Sequence, residues 1–176
     1  MGACCTGGSC EKSDGGTSAE SGCPRCGAVG KIVGDVTILS ILKPGHAEGL
    51  LAVERRFCRT PSCTVLYYGA DGSVAEKDEA SVRVGLKETE DPVPLCYCFE
   101  YTRAHVRQEV AETGACTIPD RIDAEVRAGR CACEVKNPAG ACCLGDVNEA
   151  VKDAREGLGR ARQPRLITAA SMRGTR

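Results

Sequence analysis

Fourteen of the 176 residues are cysteines, and their spacing falls into two sets suited to different chemistry. Cys23-Pro-Arg-Cys26 and Cys58-Arg-Thr-Pro-Ser-Cys63 form a C-x2-C pair and a C-x4-C pair. Two residues between thiols let a tight turn aim both sulfurs at one ion, and two such knuckles complete a tetrahedron with metal–sulfur bonds near ~2.3 Å. Pro24, Gly27 and Pro61 suit those turns. Four thiolates leave no coordination position open, which defines a structural zinc site rather than a catalytic one. The alternative is a redox C-x-x-C of the thioredoxin kind, but that motif belongs in a βαβ unit and none surrounds this pair.

The second set is Cys96-Tyr-Cys98, Cys131-Ala-Cys133 and the adjacent Cys142 and Cys143. One intervening residue makes a poor zinc knuckle. A two-iron, two-sulfide cluster takes two thiolates on each iron and tolerates varied loops. "CYCFEYT" and "ACCLG" both run into predicted helix starts, where amide N–H groups can donate to sulfur and offset a cluster's negative charge. Asn137-Pro138-Ala139-Gly140 supplies a turn that brings Cys133 back towards Cys142 and Cys143. Spacing alone does not choose between Cys131 and Cys133.

Composition limits the other possibilities. The formal net charge is -1, so no global bias points to nucleic acid or to an anionic membrane surface. Aromatic residues make up only 3% and tryptophan is absent. Two small units, each tied by a metal rather than by apolar bulk alone, account for that. A secreted disulfide scaffold is the other common use of so many cysteines. However, "MGACCTGGSCEKSDGG" lacks the apolar stretch of a signal peptide, and no run approaches the ~20 apolar residues of a membrane span. The expectation is a cytoplasmic protein with free thiols and no stable membrane insertion. "MGACCT" also fits a myristoylation pattern, with Cys4 and Cys5 placed for palmitoylation. Residues 1–22 are read more simply as a flexible Cys/Gly/Ser-rich tail, whose Cys4, Cys5 and Cys10 could collect soft ions.

The elements that must position these thiols are predicted as follows. "KIVGDVTILSIL" is rich in β-branched residues and reads as a strand from Lys31 to Leu42. "TVLYYG" is a second strand, and "ADGS" a hairpin turn before "VAEKDE". Residues 23–88 then form a β-rich unit. The polar, proline-punctuated stretch Lys87–Pro94 reads as a linker into a helical unit over 89–157. There Thr102 caps "RAHVRQEVAET" with Gly114 as its stop, and Val106 and Val110 lie on its apolar stripe. Thr117 and Pro119 open a second helix that ends at Gly129, and a third starts near Leu144. Residues 158–176, arginine-rich and without acids, read as a basic flexible tail. The fold class is therefore α+β. His46 and His105 read as surface or core residues rather than ligands, and no nucleophile–base pairing, phosphate loop or basic-aromatic patch stands out.

Taken together, "CPRC…FCRTPSCTVLYYG", "RVGLKETEDPVPLCYCFEYT" and "CEVKNPAGACCLG" resemble the N-terminal region of CopZ-type copper chaperones over about residues 23–157. The resemblance implies a zinc-binding module followed by a helical 2Fe–2S module of the bacterioferritin-associated-ferredoxin kind. It implies Zn2+ on Cys23, Cys26, Cys58 and Cys63. It places the 2Fe–2S cluster on Cys96, Cys98, Cys133 and one of the adjacent pair, for which Cys143 is chosen over Cys142. Cys116 and Cys131 are then bystanders. The implied function is single-electron transfer, with reduction of Cu(II) to Cu(I) for a copper-transporting P-type ATPase and a small electron donor upstream. The 176 residues carry no M-x-C-x-x-C loop of the family's metal-carrying domain, so carriage of Cu+ in the usual way is not expected of them. Two other readings remain: a non-redox zinc-dependent interaction module, and a ferredoxin-like electron carrier unrelated to copper.

Overall fold

The computed structural model describes residues 22–162. Cys4, Cys5 and Cys10, and most of both expected tails, lie outside them. The first half is built on a four-stranded antiparallel sheet of β1 (Lys31–Ile32), β2 (Arg55–Phe57), β3 (Val65–Gly69) and β4 (Val74–Glu76), in the order β1-β2-β3-β4. β3 is the central element, and all five of its residues are buried. It pairs on one side with β2, Phe57 opposite Tyr67, and on the other with β4 across the expected hairpin.

The predicted strand Lys31–Leu42 is corrected. Only Lys31–Ile32 forms a strand, and Asp35–Ile41 forms a helix, α1. Gly34 breaks the strand in an extended conformation, and Asp35 follows in the first helical turn, where a carboxylate suits the helix N-terminus. Thr37, Ile38 and Ile41 then fall on one buried face. Their helical spacing lets Ile38 and Ile41 join Leu50, Phe57, Leu66 and Tyr67 in one core. Packing at that spacing outweighs the modest strand preference of β-branched side chains. A short helix α2 (Glu48–Leu51) sits under the sheet, Leu50 being buried. The half is thus mixed rather than simply β-rich.

The second half opens with a small hairpin of β5 (Pro94–Cys96) and β6 (Tyr101–Thr102). Three longer helices follow in the predicted order: α3 (Arg103–Thr113), α4 (Ile118–Arg127) and, after the four-residue α5 (Cys133–Lys136), α6 (Leu144–Arg162). Thr102 caps α3 as expected, its hydroxyl accepting from the His105 amide at 3.3 Å. His105 completes the box, its Nδ1 accepting from the Thr102 amide at 3.3 Å, and so works as a capping residue. Val106, Val110, Ile118, Ile122, Val147 and Val151 bury their side chains together, each contributing about 1.5–3 kcal/mol relative to exposure. α6 continues to Arg162, and Leu158 packs on that core.

The connector between the halves is packed. Lys87 is only 6% exposed, and its ammonium donates to the Thr60 and Cys63 carbonyls at 2.9 Å each. Val93 is also buried, and the Gly85 amide donates to the Tyr97 hydroxyl at 2.8 Å.

Candidate metal centres

The first thiol set is assembled at the end of the sheet. In the "CPRCG" turn the Gly27 amide donates to the Cys23 carbonyl at 2.8 Å, and the Cys23 amide to the Ala28 carbonyl at 2.9 Å. Gly27 sits at φ 74°, a left-handed conformation that glycine adopts without a Cβ penalty. The second knuckle leaves β2 at Cys58 and re-enters the sheet just before Val65. All four sulfurs lie within 4.8 Å of one another, with Cys23–Cys63 at 3.9 Å and Cys26–Cys58 at 3.7 Å. A tetrahedron with ~2.3 Å metal–sulfur bonds has edges of about 3.8 Å, so the four thiols fit one zinc ion. Cys23, Cys58 and Cys63 are buried with Val65 and Tyr68 as a small core of their own, whereas Cys26 faces solvent.

The environment of these thiols is asymmetric. Contact with the Thr60 hydroxyl, and then the Ala28 amide, brings Cys26 down to about 6. Burial pushes Cys58 up to about 12 and also raises Cys63. The buried Lys87 ammonium works against burial at Cys58. Zinc uptake is therefore expected to displace protons from Cys58 and Cys63, so affinity should rise with pH as protons compete less. Calorimetric titration near pH ~7 in two buffers of different ionisation enthalpy measures that release. Zinc uptake without proton release would mean that these thiols are not the ligands.

The second set is arranged differently. Among the described residues it does not gather four sulfurs as closely as the first set, and its thiols come as two pairs. Cys98 and Cys133 are 3.7 Å apart. Cys96 and Cys143 are in hydrogen-bond contact, which brings Cys96 down to about 6 and pushes Cys143 upward. Burial, and then Cys98, raises Cys133. The Ala132 amide donates to Cys98 Sγ at 3.3 Å, and the Phe99 and Cys98 amides serve Cys96. The Cys98–Cys133 separation is close to one edge of a thiolate tetrahedron, and Cys96 and Cys143 are buried together in the core beside it.

The remaining thiols differ from these pairs in exposure and contacts. Cys143 is 2% exposed, while its neighbour Cys142 is exposed, as expected if adjacent side chains point different ways. Cys131 is half-buried beside Cys133. Cys116 lies away from both sets, with Sγ 3.3 Å from Glu109. His46 pairs with Glu79 at 2.9 Å and joins neither set. Sequence reasoning missed Lys87, whose role rests on two carbonyls that only the folded chain brings to it.

Comparison with known proteins agrees with this geometry. The family model zf_CopZ, described as a zinc binding domain, matches residues 20–81, so the first half is similar in sequence to that domain. The chain is 32% identical over 122 residues to the copper chaperone CopZ of Archaeoglobus fulgidus, an alignment covering 69% of this chain and 57% of that protein. Its fold matches the X-ray structure of the Archaeoglobus fulgidus CopZ N-terminal domain with a TM-score of 0.61 at 29% identity, over 73% of this chain and 95% of that one. The chain thus resembles the N-terminal region of CopZ-type copper chaperones in both sequence and fold. It spans little more than half the length of that curated relative. No helix among the described residues is long and apolar enough to cross a membrane.

Proposed function

We propose that this is a cytoplasmic zinc- and 2Fe–2S-binding protein of copper homeostasis that passes single electrons and reduces Cu(II) to Cu(I). In this reading residues 23–88 form the zinc-binding unit, with the ion on Cys23, Cys26, Cys58 and Cys63. Residues 89–157 form the cluster-binding unit. The observation that carries the redox part is the pairing of Cys98 with Cys133 and of Cys96 with Cys143, rather than one four-sulfur nest. A 2Fe–2S cluster held there would supply one electron at a time. The chain's own contribution is to hold the four sulfurs, donate the Ala132 amide to Cys98 and keep Cys143 from water. A cleft of about 470 Å3 between the halves is lined in part by Arg59, Tyr97, Cys142, Asp146 and Glu149, and a small ion could enter it next to Cys142. Similarity to a protein named as a copper chaperone favours copper as the ion. The product Cu(I) would pass to a copper-transporting P-type ATPase, and a small donor would restore the electron.

The test uses anaerobically purified protein, reduced with dithionite and freed of excess reductant. Mixed with Cu(II) and a Cu(I) chelator, it is expected to yield about one Cu(I) per cluster beyond the yield of cluster-free protein, since a 2Fe–2S centre stores one electron. Free thiols also reduce Cu(II), so equal yields from the two forms would remove the cluster from the reaction.

A further inference from the structure

The loop from Cys133 to Ala141 has a shape that its own bonds do not explain. It closes on itself through the Asn137 amide to the Cys133 carbonyl at 2.9 Å and the Gly140 amide to the Asn137 carbonyl at 2.8 Å. The buried Asn137 side chain donates to the Ala141 carbonyl at 2.6 Å. Yet α5 is four residues long, far below the length at which an isolated helix is stable. Apart from the Cys98–Cys133 contact, the side-chain hydrogen bonds that reach this loop from outside, among the described residues, come from the zinc-binding half. The Thr37 hydroxyl on α1 donates to the Glu134 carbonyl at 2.8 Å. The Tyr67 hydroxyl on β3 donates to the Pro138 carbonyl at 2.7 Å. The first grips the loop beside Cys133, and the second grips the turn that leads to Cys143. Both side chains are buried, Thr37 at 1% and Tyr67 at 0% exposure.

These two hydroxyls are tied to the first thiol set. Tyr67 lies opposite Phe57 in the β2–β3 ladder, and the two rings pack at 6.0 Å. Phe57 adjoins Cys58, and β3 is the strand that leaves the Cys63 knuckle. Ala139 of the loop rests on the same core as Ile38, Phe57 and Tyr67. Gly140, at φ 59°, approaches so closely that a Cβ there would stand 2.8 Å from Thr37 Oγ1. A metal that orders the two knuckles therefore also orders the ladder that presents Tyr67.

We propose that the zinc-binding half is the jig on which the cluster loop is shaped, with Thr37 and Tyr67 as positioning residues that couple zinc occupancy to cluster assembly. This rests on the reading of Cys96, Cys98, Cys133 and Cys143 as cluster ligands. Because coupling between two sites is reciprocal, a filled cluster should also slow zinc loss. Removing a partner that orients metal ligands commonly costs roughly 10–100-fold in metal affinity.

The full chain is prepared as wild type, Tyr67→Phe, Thr37→Val, Thr37→Ser and the Tyr67→Phe/Thr37→Val double variant. Each is loaded with zinc and then reconstituted anaerobically with iron and sulfide. Bound zinc should be equal in all five, which shows that the first half still folds. In the zinc-loaded, iron-free proteins, amides of residues 133–141 should exchange roughly tenfold faster in Tyr67→Phe and Thr37→Val. Iron and sulfide retention and the visible spectrum should weaken in the same order, the double variant being worst. Thr37→Ser keeps the hydroxyl and should match wild type. Unchanged loop exchange and cluster retention in both single variants, with zinc retained, would overturn the coupling. Faster loop exchange in a set of proteins that never take up iron would support the positioning of the loop by Thr37 and Tyr67 and overturn the cluster assignment instead.

Discussion

Cys133→Ser is expected to lose its iron and acid-labile sulfide, while Cys131→Ser retains both at wild-type levels. Cys133 is the partner of Cys98 at 3.7 Å and begins α5, so its sulfur is held by the loop that Thr37 and Tyr67 grip. Serine puts a harder oxygen on a shorter bond in its place, and a cluster iron left with a weakened ligand is readily lost. Cys131 precedes the loop and makes no comparable contact with Cys96 or Cys98. The same logic separates the adjacent pair, since Cys143 is buried against Cys96 and Cys142 faces the cleft. Cys143→Ser should behave like Cys133→Ser, and Cys142→Ser like wild type. Iron, sulfide and zinc per chain, with the visible spectrum, measure all four. Zinc bound at saturating metal should be unchanged throughout, because none of the four is a ligand in the first thiol set, while the cluster-free variants should lose it faster once free zinc is removed. A coloured, iron-replete Cys133→Ser together with a colourless Cys131→Ser would reverse the ligand assignment.

Much of this was readable from residue order, because thiol chemistry is local in sequence. C-x2-C and C-x4-C describe single turns, and the four sulfurs then meet with little further help. Thr102 and Gly114 likewise bound α3 by local hydrogen bonding and turn conformation. What escaped the sequence was decided at long range. "KIVGDVTILSIL" contains enough β-branched residues to read as a strand, and only the core around Ile38 and Ile41 makes helical spacing the better solution. Lys87 looks like an ordinary polar connector residue until Thr60 and Cys63 turn their carbonyls towards it. Tyr67 reads as strand packing, which it is, yet its hydroxyl reaches Pro138 across a long stretch of chain. No periodicity or motif announces a contact of that kind.

Removing zinc is expected to unfold the first half rather than merely loosen its tip. Cys23, Cys58 and Cys63, together with Val65 and Tyr68, are themselves a core cluster, so a bound ion would sit where a larger protein would place apolar side chains. A structural zinc site contributes about 10–16 kcal/mol to folding, whereas a domain of this kind has a net stability of about 5–15 kcal/mol. The metal term is thus comparable to the whole margin. It is also opposed in the metal-free state by burial of thiols that must stay neutral, which is why Cys58 is pushed up to about 12. Cys58→Ser should accordingly fail to retain zinc and should lose the thermal transition of the sheet. Cys26→Ser, at the exposed corner of the site, should bind zinc more weakly but still fold at saturating metal. Far-ultraviolet circular dichroism and thermal melting, with and without a zinc chelator, distinguish the cases. Should the chelated protein melt at the wild-type temperature with its spectrum intact, the four thiols would not hold a structural ion, and apolar packing alone would have to sustain β3 and everything it supports.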